Sequence, residues 1–319
     1  MKTNAGQVKF SDTSSQPPVV SNNDCSIIVL DIGGTHIRMG HWCDNAPCDE
    51  FKVLDTGILR VDNAQEALSN IIIHYADTLE LSVSAVVLGI PGMLDHDTDT
   101  ISHCNNIKQL EGFGLRSSLT KKLGCKVVLE QDIMLQLLGE WRAGAASGSP
   151  SVFGVYYGTG IGAAYLVDGN PRVSKSAGLQ AGHIPIMAQG KRCICGNTDC
   201  VEAYACGHTL LELAQIHQCN VDQLFLVSDN DALRIQLDDF VRYQAYLIAT
   251  IATLFVPDTI LIGGGIPQMQ AYPRDRLMEH VQAHLQKPYP AESINFTWAL
   301  LGNTSVLHGA RALLQASYS

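Results

Sequence analysis

The chain has 319 residues, 46% hydrophobic and 16% charged, with a formal net charge of −10. That length accommodates two cores. The acidic balance points away from nucleic acid, whose footprint is a basic face, and no run of about 18 apolar residues offers a membrane-spanning helix. Its ten cysteines are scattered, apart from one cluster at metal-ligand spacing, so a reducing cytoplasm is expected and no disulfide framework.

In chain order, residues 1–24 are polar and lack the apolar centre of a secretory signal, so a flexible tail is expected. Residues 26–42, SIIVLDIGGTHIRMGHW, read as strand, glycine turn and strand. The glycine pair joins two strands and opens no helix, which excludes a dinucleotide fingerprint and a P-loop. Backbone N–H groups of Gly33 and Gly34 and the Thr35 hydroxyl can face phosphate oxygens, while Asp31 can face Mg²⁺ through water. A plain tight hairpin is the simpler alternative.

Ala67, Leu68, Ile71, Ile72 and Ala76 sit at helical spacing, and Ala85–Leu88 forms a strand that Pro91 and Gly92 stop. Residues 126–132 read as a strand with polar residues at its end, followed by a helix from about Ile133 to Trp141. Asp132 thus stands at a strand-to-helix junction, a place where aspartate caps well and, near the helix N-terminus, is expected to stay ionised. Residues 152–168 repeat the strand–turn–strand pattern around Gly158, Thr159 and Gly160. The two halves of the chain therefore begin alike, and two such turns facing each other can hold a nucleotide.

His183, Cys193, Cys195 and Cys200 place one imidazole and three thiols within a short segment, the donor set of a closed tetrahedral Zn²⁺ site. A closed site does no chemistry, so its role would be to fix this segment in one shape. A metal-bound His183 would aim its second ring nitrogen, and Glu202, two residues past the last thiol, would be held with it. An amphipathic helix over 237–255 stops at Pro257, and the strand 259–262 feeds Gly263, Gly264 and Gly265, where a ribose or base can approach the backbone. Gly309–Leu314 reads as a last helix.

With these motifs in place, GHIPI…CICGNTDCVE resembles the signature of the ROK family of sugar kinases and sugar-responsive repressors, G-H followed by C-x-C-G-x-x-G-C-x-E. The likeness runs from about Ile27 to about Ala316. It implies an α/β, actin-like ATPase (ribonuclease H-like) fold of two lobes with a cleft between them. Residues 25–131, joined by a C-terminal helix at about 306–319, would form the N-terminal lobe, and 132–305 the C-terminal lobe with its zinc loop at 183–200. It also implies ATP, Mg²⁺ and structural Zn²⁺, and a homodimer.

The implied reaction moves the γ-phosphoryl of ATP to the 6-hydroxyl of an aldohexose, with Asp132 as base. ATP would contact the two glycine hairpins and Gly263–Gly265, and the sugar Gly92, Asn106, Gln131, Asp132, Gln180, His183 and Glu202. Gly34–Arg38, His183–Pro185 and the GGGIPQM segment with Ala271–Arg274 resemble the members that phosphorylate D-allose. Glucokinase-like activity and a non-catalytic sugar sensor are the alternatives. A repressor is disfavoured, because the residues ahead of the first strand carry no amphipathic helix pair. Three positions depart from the family pattern: Gln131 stands where asparagine is usual, Gln180 where glutamate is, and Asp199 where glycine is.

Overall fold

The computed structural model describes residues 25–43, 46–104, 107–172, 178–186, 189–227 and 229–316. The expected tail (1–24) and Asn106 lie outside them. The chain opens with β1 (Cys25–Ile32) and β2 (His36–Cys43), the short β3 (Ala46–Pro47), β4 (Lys52–Asp55) and α1 (Ala64–Thr78). It continues through β5 (Ser82–Ile90), β6 (Met93–Asp95), β7 (Thr100–Ser102), β8 (Gly112–Phe113), α2 (Leu115–Leu123), β9 (Lys126–Gln131) and α3 (Asp132–Ala143).

The second half begins with β10 (Ser151–Tyr157), β11 (Ile161–Val167) and β12 (Asn170–Pro171), then α4 (Glu202–Ala205), α5 (Gly207–Ile216) and α6 (Asp231–Phe255). It ends with β13 (Thr259–Gly263), α7 (Arg274–His284), β14 (Asn295–Trp298) and α8 (Ser305–Ala316).

The two main sheets are built alike. In the first, the order is β3-β2-β1-β5-β9, with β1 antiparallel to β2 and β5 parallel to both β1 and β9. In the second it is β12-β11-β10-β13-β14, with an antiparallel hairpin followed by two parallel pairings. Each leading strand is covered on both faces, which explains its nearly unbroken apolar run. Ile28, Leu30 and Ile32 face Leu68, Ile72 and Leu119, while Val29 faces Leu307 and Ala310. In β10, Phe153, Val155 and Tyr157 pack towards α6, and Val152 and Tyr156 towards α3.

Helix α3 serves both sheets: Leu135 joins the cluster on the first, and Met134, Leu137 and Leu138 the cluster on the second. Its crossing with α8 is closed by two glycines. A Cβ on Gly139 would lie 1.9 Å from the Ser305 carbonyl oxygen, and one on Gly309 would lie 1.9 Å from that of Leu135. The last helix is also pinned to the first sheet, where the Trp42 Nε1–H donates to the Leu307 carbonyl at 2.7 Å. Buried Glu140 then ties α3 to the chain entering α8, accepting the N–H groups of Leu300 (2.8 Å) and Leu301 (2.7 Å).

Local chemistry sets the helix ends. Asn63 caps α1 through the Glu66 N–H, and Asn230 caps α6 through the Leu233 N–H at 3.0 Å. The Asn230 cap starts α6 at Asp231, well before the expected 237. The helix stops where Val256 takes a left-handed backbone (φ 44°) ahead of Pro257. Among the described residues no helix is long and apolar enough to cross a membrane.

Candidate active site

Between the two sheets lies a cleft of about 860 Å³. One wall carries Asp31, Gly33, Gly34, Gly92, Gln131 and Asp132, and the other Gly158–Gly160, Gln180, His183 and Glu202, with Gly264 and Gly265 at a further edge. Thr35 and Gly263 do not line it. Gly263 instead makes room for packing, since a Cβ there would sit 2.7 Å from the Tyr156 ring.

Both glycine turns use one expected donor to close themselves. The Gly33 N–H donates to His36 at 2.9 Å and the Gly158 N–H to Gly160 at 2.9 Å, so neither N–H is left for a phosphate. The first turn is braced from behind by the Thr56 hydroxyl on the Gly33 carbonyl (2.9 Å) and the Arg60 guanidinium on that of Gly34 (3.0 Å). The second rests against α5, whose Gly207 N–H donates to the Gly158 carbonyl at 2.8 Å.

Asp132 opens α3, immediately after the last residue of β9. The N-cap is Gln131, which makes no side-chain cap bond; Asp132 Oδ1 accepts the adjacent Ile133 N–H at 2.8 Å. Asp132 is therefore not the helix cap. Burial, and then the nearby charge of Asp31, push its carboxyl up to about 7. The expected full ionisation is thereby corrected, because two desolvated carboxylates outweigh a helix terminus. Asp31 is itself raised by burial, opposed by Arg38, whose Nη1 lies 3.6 Å from Asp31 Oδ2.

Gln131 Nε2 donates to the Gly92 carbonyl at 2.9 Å, which fastens the Pro91–Gly92 turn to the end of β9. Its Oε1 fills the space beside Gly178, where a Cβ would lie 2.1 Å away. Gln180 is exposed on the opposite wall.

The donor atoms of His183, Cys193, Cys195 and Cys200 all lie within 4.8 Å of one another. Cys193 Sγ is 3.6 Å from His183 Nδ1, and Cys195 Sγ is 3.6 Å from Cys200 Sγ. Tetrahedral Zn–S bonds of about 2.3 Å put sulfurs about 3.8 Å apart, so the set fits that ion. Burial and neighbouring thiols push Cys200 up to about 12, so this grouping suits ligands only around a cation that stabilises thiolates. With Nδ1 turned to the thiols, Nε2 is the ring nitrogen left for the cleft.

Glu202 opens α4 and is bonded directly to the second hairpin, while the far end of α4 is anchored separately. The Glu202 Oε2 accepts the Ile161 N–H at 2.7 Å, joining α4 to the second glycine hairpin. Below it, buried Gln244 donates to the Ala205 carbonyl at 3.3 Å and accepts from the Tyr272 hydroxyl at 2.5 Å.

The cleft also carries Arg38, Gln136, Glu140, Tyr156 and His208, none of which was expected there. Arg38 was within reach of the sequence, because a turn at Gly33–Gly34 sets Asp31 opposite Arg38 in the β1–β2 register. Gln136 and Glu140 follow Asp132 at successive helical turns.

Two sheets of matching topology, a glycine hairpin at the head of each and a shared cleft define the two-lobed actin-like ATPase fold. The ROK family profile matches residues 27–317, and the chain belongs to the ROK family. It is 27% identical over 317 residues to a glucokinase of Halalkalibacterium halodurans, covering 90% of this chain and 94% of that one. It is 27% identical over 271 residues to an N-acetyl-D-glucosamine kinase of Escherichia coli, covering 79% and 89%. A ROK hexokinase of Thermus thermophilus superposes with a TM-score of 0.77 at 26% identity, covering 92% of this chain and all of the other.

Proposed function

We propose that the chain, an ATP-dependent sugar kinase of the ROK type, phosphorylates the 6-hydroxyl of an aldohexose, with Asp132 taking the hydroxyl proton. One observation carries this reading: a half-buried carboxylate raised to about 7 shares one cleft with both glycine turns and with the His183–Glu202 pair. A base of that strength is matched to accepting a proton near neutral pH. Magnesium-bound ATP, when present, supplies the transferable phosphoryl and offsets its charge. Asp31 would meet a magnesium-bound water, and Gly34, Thr159, Gly160, Gly264 and Gly265 would allow the nucleotide to approach the backbone closely.

On the sugar side, His183 and Glu202 would hydrogen-bond hydroxyls away from the reacting oxygen, and Gln131, Gly92 and Gln180 would form the remaining contacts. Residues 25–131 with α8 are read as one lobe and 132–305 as the other. In this reading the α3–α8 crossing would hold them so that Asp132 meets the opposite wall.

Within the aldohexoses we infer D-allose, on the strength of the segments 34–38, 183–185 and 263–274. The likeness to a bacterial glucokinase supports glucose as the second reading. ADP release measured over D-allose, D-glucose, D-mannose and N-acetyl-D-glucosamine is expected to give the highest kcat/KM on D-allose. A maximum on glucose replaces that assignment, and sugar-dependent stabilisation without turnover replaces the kinase by a sensor.

Zinc is proposed for the four-ligand cluster. Elemental analysis is expected to find about one zinc per chain and to lose it in Cys200→Ser. A chain purified without metal and indifferent to that substitution contradicts the assignment.

A further inference from the structure

The metal-binding segment is closed by bonds that involve none of its four ligand side chains. Asp199 has a left-handed backbone (φ 60°) that aims its carboxylate back across the loop. Its Oδ1 accepts the N–H groups of Gly190 at 2.7 Å and Lys191 at 3.1 Å, and also the hydroxyl proton of Tyr204. The Tyr204 oxygen in turn accepts the N–H groups of Gln189 (3.0 Å) and Lys191 (2.8 Å). Three consecutive backbone donors are thus collected by two oxygens. Tyr204 is 7% exposed, and its ring packs against Tyr243 on α6 at 5.0 Å, so the anchor belongs to the core. Two main-chain bonds complete the closure, from the Asp199 N–H to Lys191 and from the Ile186 N–H to Asp199, both 2.9 Å.

We propose that Asp199 and Tyr204 form a metal-independent clasp that holds residues 189–199 in their liganding shape, making Asp199 a positioning residue for the sugar wall carried by His183 and Glu202. This rests on the metal reading of the cluster. Metal knots of this size commonly depend on the ion for their shape. Here a carboxylate on three donors, one backed by a buried tyrosine, does part of that task. The consequence is that zinc leaves slowly, and that the wall keeps its shape when zinc has gone.

The test uses the full-length, zinc-loaded protein and Asp199→Gly, which accepts the left-handed backbone without strain and removes only the carboxylate. Zinc transfer to a chromophoric chelator is expected to be about tenfold faster in the variant, with Asp199→Asn intermediate because its amide oxygen still accepts. After chelation, the wild type is expected to hold its hexose KM within about threefold, whereas Asp199→Gly loses about tenfold in KM with kcat retained. Equal or slower release from Asp199→Gly overturns the clasp, as does a chelated wild type whose KM rises as far as the variant's. If the purified wild type holds no zinc, the metal reading fails. The clasp is then decided by hydrogen exchange at the amides of 189–191, expected to be slow in the wild type and fast in Asp199→Gly; equal rates overturn it.

Discussion

Asp132→Asn is expected to lower kcat by about 10²–10⁴ while leaving the hexose Kd near its wild-type value, because an amide keeps the shape and the hydrogen-bonding reach but cannot take a proton. Activity surviving within a few-fold would remove Asp132 from the chemistry. The wild type should also show a pH signature. A general base works unprotonated and the Asp132 carboxyl is raised to about 7, so with Asp132 in that role kcat/KM for the hexose should fall about tenfold per unit well below that pH and level off above it. The same shift has a stability consequence of definite sign. A carboxylate whose folded value lies above its unfolded value contributes stability at low pH that is lost as pH rises through about 7. Asp132→Asn should therefore melt no lower than wild type at pH 8.

Gly309→Ala is expected to destabilise the fold by about 3 kcal/mol or more, a large share of a typical domain's stability. The added Cβ would stand 1.9 Å from the Leu135 carbonyl oxygen and 3.1 Å from the Gly139 nitrogen. These are backbone atoms and cannot rotate aside. Because α3 begins with Asp132, forcing α8 away should also move the base, so kcat should fall in whatever fraction remains folded. Denaturant midpoints measure the first effect. Gly265→Ala, whose Cβ meets nothing within 4 Å, is the control and should stay within about 0.5 kcal/mol. A Gly309→Ala midpoint equal to the control's would mean the helices are not in contact there.

What the sequence made legible is what local spacing encodes. The two glycine hairpins are readable because each lies between two apolar runs, and the His183–Cys200 grouping because its cysteines sit within a few residues of each other. Helix α6 starts at Asp231, ahead of the apolar periodicity over 237–255, because its start depends on one capping bond from Asn230. The small sheet β6-β7-β8, which follows Gly92, is not legible because its strands are two or three residues long and leave no periodicity.

Long-range electrostatics was equally hidden. The ionisation of Asp132 depends first on its burial and then on Asp31, brought near by strands β1 and β9 on either side of β5. Glu140 finds its backbone partners 160 and 161 residues further along the chain. Asp199 stands where the family pattern has glycine. It takes the left-handed backbone that glycine favours, but the donors it gathers come from residues 190, 191 and 204, which no adjacency in sequence pairs.

In the proposed mechanism the two walls of the cleft divide the labour, Asp132 acting on the reacting hydroxyl and Glu202 on the sugar's other face. Steady-state kinetics of Glu202→Gln decides this most directly, because the amide oxygen can still accept from Ile161. The expected result is a hexose KM raised about 10- to 100-fold with kcat within about threefold of wild type. A collapse of kcat at unchanged KM, or no change in either, would contradict it.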